Sequence, residues 1–267
     1  MPAGIVVDEN RTVYFTSREG VWRAEVGQAA TAIVGDVHSH WLALDSSGGV
    51  VGEYSESAPG EYWRWADGEF SNLSPAQAAI AFGATIAGAA ALPLVTSDQV
   101  TLLVHDGTDS IEVAGGGATG HADGPLEDAR FGPIGGFVSD GRNGLFLTSG
   151  GQLRQVKENG VVQTLLGANQ GYPASDDETS DLLGIDIDYR GRVYVADRRN
   201  QSYLRYDPAR RTTQTLIDGD WRWAVAGIRV DSNEVYVLEY DRLPFFSSAR
   251  VRRIDPSGEI FVVAQTP

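Results

Sequence analysis

Gly184-Ile-Asp-Ile-Asp188, Gly191-Arg-Val-Tyr-Val-Ala-Asp197 and Tyr203-Leu-Arg-Tyr206 follow one another in a pattern that decides the fold. The pattern returns as Phe137-Val-Ser-Asp140, Leu145-Phe-Leu-Thr-Ser149 and Leu153-Arg-Gln-Val156, and again as Ile228-Arg-Val-Asp231, Val235-Tyr-Val-Leu-Glu239 and Val251-Arg-Arg-Ile254. Weaker copies open at Ile5-Val-Val-Asp8 and Leu42-Ala-Leu-Asp45, and the most degenerate has Ala87 in place of the aspartate. The anchors Asp8, Asp45, Ala87, Asp140, Asp188 and Asp231 stand 37, 42, 53, 48 and 43 residues apart. Each unit reads as four short antiparallel strands joined by turn signals such as Asp140-Gly-Arg-Asn-Gly144 and Glu158-Asn-Gly160. A period of about 40–50 residues holding four strands is the signature of a β-propeller blade. Six units fill the 267 residues, so the expectation is all-β: a single six-bladed propeller spanning 1–267.

Composition agrees. Thirty-two glycines and eleven prolines suit a chain built from tight turns. Small residues ahead of the inner strands (Gly4, Gly136, Gly184, Gly227) let those strands crowd around a common axis. The anchor aspartates are expected to cap the turns that follow them. With 36 acidic against 21 basic residues the net charge is −15, which argues against a general phosphate-neutralising surface and hence against nucleic acid. No run approaches the length of apolar sequence that crosses a bilayer, so membrane insertion is not expected. Zero cysteines exclude disulfides and thiolate metal sites. No leader is visible at Met1, which leaves a cytoplasmic protein or a secreted one without its leader; a monomer is expected.

The 184–188 and 191–197 segments resemble the NHL-repeat family. Gly120-His-Ala-Asp-Gly-Pro-Leu-Glu-Asp-Ala-Arg-Phe131 is similar to the linker between blades of that family. The resemblance is close from about residue 117 onward and loose in the second and third units. It implies a six-bladed propeller and no single activity, because NHL-like propellers include protein- and RNA-binding modules, sensor domains and amidating lyases. Gluconolactonase-like propellers are related enzymes. His40-Trp-Leu-Ala-Leu44 is similar to the start of an inner strand in the amidating lyases, where a histidine binds zinc. That family uses three such histidines, and the corresponding positions here are Ala3, Phe82, Gly135, Leu183 and Ala226. Gluconolactonase-like propellers hold a divalent ion on oxygen ligands, a role that Glu53, Asp197 and Glu239 would fill. No metal ligand is assigned, and the cofactor is open.

A propeller places its blade-linking loops and its second-to-third-strand loops on one face, around the mouth of the channel. The loops at 54–63 and 240–250 are longer than a blade requires. The candidate catalytic residues on that face are His40, Glu53, His121, Asp197 and Glu239. The candidate ligand-binding residues are Tyr54, Trp63, Arg130, Arg198, Trp223 and Tyr240. His40, Glu53, Tyr54, Asp197, Arg198 and Glu239 are expected around one cavity. Arg23, Arg64, Arg154 and Arg205 recur in third strands and are read as structural. No nucleophile elbow, Walker loop or dinucleotide fingerprint is present. The leading expectation is binding of a small molecule or peptide at the mouth. The alternatives are a propeller hydrolase or lyase using His, Glu and Asp there, or a sensor or scaffold domain.

Overall fold

The computed structural model describes residues 3–35, 37, 39–54, 61–83, 85–86, 89–95, 100–105, 110–114, 119–167, 182–243 and 248–267; for 85–114 the description is of the backbone. His38, Ala87 and residues 55–60, 168–181 and 244–247 lie outside the described residues.

Four sheets follow the expected order from inner to outer strand. They are β1 (Ile5–Val7), β2 (Val13–Ser17), β3 (Gly20–Ala24) and β4 (Thr31–Gly35); β5 (Leu42–Leu44), β6 (Val50–Glu53), β7 (Tyr62–Ala66) and β8 (Glu69–Leu73); then, beyond a third unit, β18 (Leu182–Ile187), β19 (Val193–Asp197), β20 (Ser202–Asp207) and β21 (Thr212–Asp218); and β22 (Trp223–Asp231), β23 (Glu234–Asp241), β24 (Ala249–Ile254) and β25 (Ile260–Gln265). The third unit has α1 (Pro75–Phe82), β9 (Thr85–Ile86), β10 (Ala89–Val95), β11 (Val100–His105) and β12 (Ser110–Ala114). The fourth gains a fifth strand, because β13 (Gly124–Pro125) in the linker pairs with β17 (Val161–Leu166), outside β16 (Gln152–Val156), β15 (Leu145–Ser149) and β14 (Ile134–Ser139). All pairings are antiparallel, and middle strands such as β15 and β19 are buried throughout between neighbouring blades.

The anchor aspartates do cap turns. Asp8, Asp45, Asp140 and Asp188 each accept two backbone N–H groups, from the residues two and four places on. Asp231 differs. It pairs with Glu234 across a two-residue turn in which Ser232 and Asn233 both adopt positive φ, leaving no amide for its carboxylate to cap.

Six equivalent blades do not form. The inner strands β1, β5, β14, β18 and β22, with Ala81 and Phe82 at the end of α1, line the central channel. Five blades therefore surround it. The third unit folds as a four-stranded sheet resting on α1, which itself lies against β5, β6 and β7. Ser74 and Gln77 close a capping box around Pro75, and Gly83 ends the helix in the left-handed conformation. Where a sixth inner strand would stand, Trp41 spans from β5 to β14. Its indole N–H donates to the Gly135 carbonyl at 3.1 Å and its ring meets Phe137 edge-on with centroids 5.0 Å apart.

The ends meet without exchanging strands: β1 pairs with β2 and β25 with β24. The seam is packed by Ile5, Val7 and Phe15 against Tyr236, Leu238 and Tyr240, and the Tyr240 hydroxyl donates to the Thr16 carbonyl at 2.8 Å.

A Cβ added to Gly184 would stand 2.7 Å from the Gly227 Cα, whereas Gly35 has open space. Gly184→Ala is therefore expected to lower stability by about 1–3 kcal/mol in urea denaturation, and Gly35→Ala to stay within about 0.5 kcal/mol. Equal, small effects at both sites would contradict the close approach of the inner strands.

Candidate functional site

The channel encloses a cavity of about 220 Å³. At its mouth the segment Ser39–Trp41 is fixed from three sides. The buried Ser39 hydroxyl donates to the Trp41 carbonyl at 2.7 Å and accepts the Glu53 amide at 3.0 Å. The His40 carbonyl accepts the Ala3 amide of the first blade at 3.3 Å. Trp41 ties the next residue to the fourth blade. A backbone held this way directs the His40 side chain to the cavity.

His40 Nδ1 stands 3.4 Å from Glu53 Oε1. Glu53 ends β6 and is only 8% exposed. Burial pushes its carboxyl above the ordinary range, and the neighbouring imidazole offsets this only in part. Tyr62 pairs with Glu53 across the β6–β7 ladder, and burial with the nearby carboxylate pushes its phenol up. With Nδ1 turned to Glu53, Nε2 is the nitrogen left for a ligand. The pair can hold or pass one proton at the channel wall.

Trp63, expected at the rim, is fully buried. Its indole donates to the Glu53 carbonyl at 3.3 Å and stacks on Phe70, filling space that Gly52 leaves opposite. Trp63 thus supports Glu53 from behind. Tyr54 is half-buried, with its hydroxyl on Asn72 at 3.2 Å.

The other expected site residues are not brought to this cavity. Asp197 is buried and caps its own turn, accepting the Asn200 amide at 3.0 Å and the Asn200 side chain at 2.8 Å. Arg198 shares that turn through its carbonyl, which accepts from Gln201. Glu239 has no exposure and is held between Arg250 at 2.7 Å and Arg252 at 2.5 Å. Trp223 is buried with Arg250 over its ring at 4.1 Å and Arg222 at 5.7 Å, and Tyr240 lies in the seam. His121 is exposed and packs on Gly150 and Gly132. Arg130 donates to the carbonyls of Glu127 and Ala129, within its own linker.

Of the four third-strand arginines, Arg154 is the most buried. It donates to the Arg130 and Ala122 carbonyls and to Asp123, clamping the linker onto its blade. Arg64 pairs with Asp45, Arg23 with Glu25 and Arg205 with Gln214.

Two channel residues escaped the sequence reading. Asp186 and Arg229 lie in β18 and β22 two places before the anchor aspartate, where the other inner strands carry Val6, Ala43 and Val138. Opposite charges at one repeat position of adjacent blades were the signal.

The donor set does not fit zinc. His40 has no second histidine at the equivalent channel positions, and among the described residues no three His, Asp or Glu side chains gather as a metal site. The carboxylates of Asp197 and Glu239 are taken up locally, away from Glu53, so the divalent-ion arrangement is not assembled either.

No protein family matches the chain by sequence, and no curated protein matches it. Solved structures match in shape. A streptogramin B lyase is 15% identical, with TM-score 0.57 over 98% of this chain and 82% of that one. The virginiamycin B lyase from Staphylococcus aureus is 13% identical, with TM-score 0.54 over 98% and 83%. A protein of unknown function from Bacteroides thetaiotaomicron is 11% identical, with TM-score 0.61 over 88% and 66%. At these identities the likeness establishes the propeller fold alone.

A carboxyl raised by burial holds its proton more tightly in the folded than in the unfolded chain. Its contribution is full at low pH and lost as pH rises out of the carboxylate range. As pH rises above about 4.5 the wild type is therefore expected to lose stability relative to Glu53→Gln in urea denaturation. A pH-independent difference would show that the Glu53 carboxyl is not perturbed.

Proposed function

We propose that the chain works as one propeller domain that binds a small molecule in its central channel, with His40, positioned by Glu53, as the polar contact at the mouth. The observation that carries this reading is the His40–Glu53 pair. It is a titratable couple in which His40 lines the channel and the buried Glu53 stands behind it, with the segment around His40 fixed by hydrogen bonds from three blades. Structure alone gives such a buried carboxyl little reason to persist, since burying it costs stability. The cavity volume, about seven waters' share of liquid, supports a small ligand or a single inserted side chain over a longer peptide segment.

A second reading is lyase chemistry, and the same pair favours it. An imidazole whose Nδ1 is held by a carboxyl can remove a proton with Nε2, and the carboxyl stabilises the imidazolium that forms. Two of the solved structures of similar shape are lyases, at identities too low to carry an activity to this chain.

Screening small polar compounds by thermal shift tests both readings. Hits are expected to raise the melting temperature of the wild type and to lose at least about tenfold in affinity with His40→Ala or Glu53→Gln, while the unliganded variants melt within a few degrees of the wild type. Chromatography with mass spectrometry of incubated hits separates the readings: an unchanged compound means binding, and either two fragments whose masses sum to the parent or a ring-opened isomer of equal mass and shifted retention means a lyase. Hits indifferent to both substitutions would contradict the proposal.

A further inference from the structure

Resting on the reading that the channel is the ligand site, we infer that Arg229, oriented by Asp186, forms a second polar station in the channel that selects ligands carrying a carboxylate. The two residues come from adjacent inner strands, β18 and β22, on the side of the ring across from β5 and His40. Relative to its anchor aspartate, each lies three residues further along its strand than His40. This sets the two stations about 10 Å apart in depth.

Asp186 is 4% exposed, and its Oδ2 accepts the Val230 amide at 2.6 Å and faces Arg229 Nε at 3.5 Å. Arg229 Nε is buried and lacks a hydrogen-bond partner among the described residues. The Arg229 side chain is otherwise 39% exposed and lines the cavity. Asp186 thus braces the Nε side of the guanidinium, while the terminal nitrogens make no hydrogen bond among the described residues. That edge of the fork matches a carboxylate with two parallel N–H···O bonds.

The charge balance points the same way. Asp186 faces the guanidinium on its Nε side alone, which leaves the terminal edge of Arg229 as the positive group in a stretch of wall otherwise made of Val6, Ala43 and Val138. In a protein of net charge −15, a cation turned into the channel offers an anion a local attraction.

Benzoate and benzamide, equal in shape and different in charge, are the probes, with binding read by ligand-observed NMR. The wild type is expected to prefer benzoate by about tenfold or more, and Arg229→Gln to abolish the preference while Arg229→Lys keeps part of it. Asp186→Asn retains an acceptor for the Val230 amide and removes the charge that orients the guanidinium, so it is expected to weaken the benzoate preference severalfold. A purely structural ion pair would change the melting temperature in these variants and leave the benzoate-to-benzamide ratio alone. His40→Ala is expected to keep that ratio, so the ratio reports on Arg229 while loss of the library hits reports on His40. A benzoate preference that survives Arg229→Gln, or a wild type that binds neither probe, would overturn the inference.

Discussion

Five strands share one axis only where their backbones come closer than side chains permit. Gly4, Gly136, Gly184 and Gly227 occupy the same repeat position, four places before the anchor aspartate. A Cβ at any of them would press on the next inner strand: Leu42, Ile185 and Gly227 for the first three, and the Ala3 carbonyl for Gly227. The fifth strand carries Trp41 at this position, and Trp41 closes the interval between β5 and β14 with its indole. One large residue among four glycines thus sets the number of blades at the channel, its width, and the place of the third sheet behind α1. A buried indole with a satisfied N–H contributes several kcal/mol, comparable to the contact surface an inner strand would supply.

The site is a by-product of that closure. Because Trp41 is held by the fourth blade, and the His40 carbonyl by the first, the imidazole between them has one place to go. Behind it the second blade supplies Glu53, backed by Trp63, which fits only because Gly52 opposes it. Across the ring the fifth and sixth units bring Asp186 and Arg229 together by ordinary blade adjacency. Channel geometry and the placement of its polar groups therefore rest on the same few contacts between blades, so changes to the glycines or to Trp41 will alter channel shape and stability together.

The repeat was legible because hairpins, capping aspartates and inner-strand glycines are local features, and all but the Asp231 cap were found where the period placed them. The third unit was not, because counting anchors carried the period through Ala87. The Ser74-Pro75 start and Gln77 of a capping box already announced a helix in place of an inner strand. Of the residues expected at the mouth, His40 lines the channel with Glu53 beside it. Asp197 and Glu239 occupy the same repeat position as Glu53 but are taken up by Asn200 and by two arginines, partners that strand position does not reveal. Trp63 was drawn to the rim by the length of its loop, although strand alternation and Gly52 turn it inward. Asp186 and Arg229 needed only a comparison of one column across the repeats.

The most direct test is the proximity of Trp41 to Phe137. In protein labelled selectively at tryptophan and phenylalanine, with Trp41 assigned by Trp41→Phe, nuclear Overhauser cross-peaks should join the indole to the Phe137 ring, whose centroid lies 5.0 Å away. A sixth inner strand between β5 and β14 would separate those rings by roughly another strand-packing distance of 10 Å and remove the cross-peaks. Their absence, with contacts from Trp41 to residues 85–95 instead, would contradict the five-bladed channel and the site built upon it.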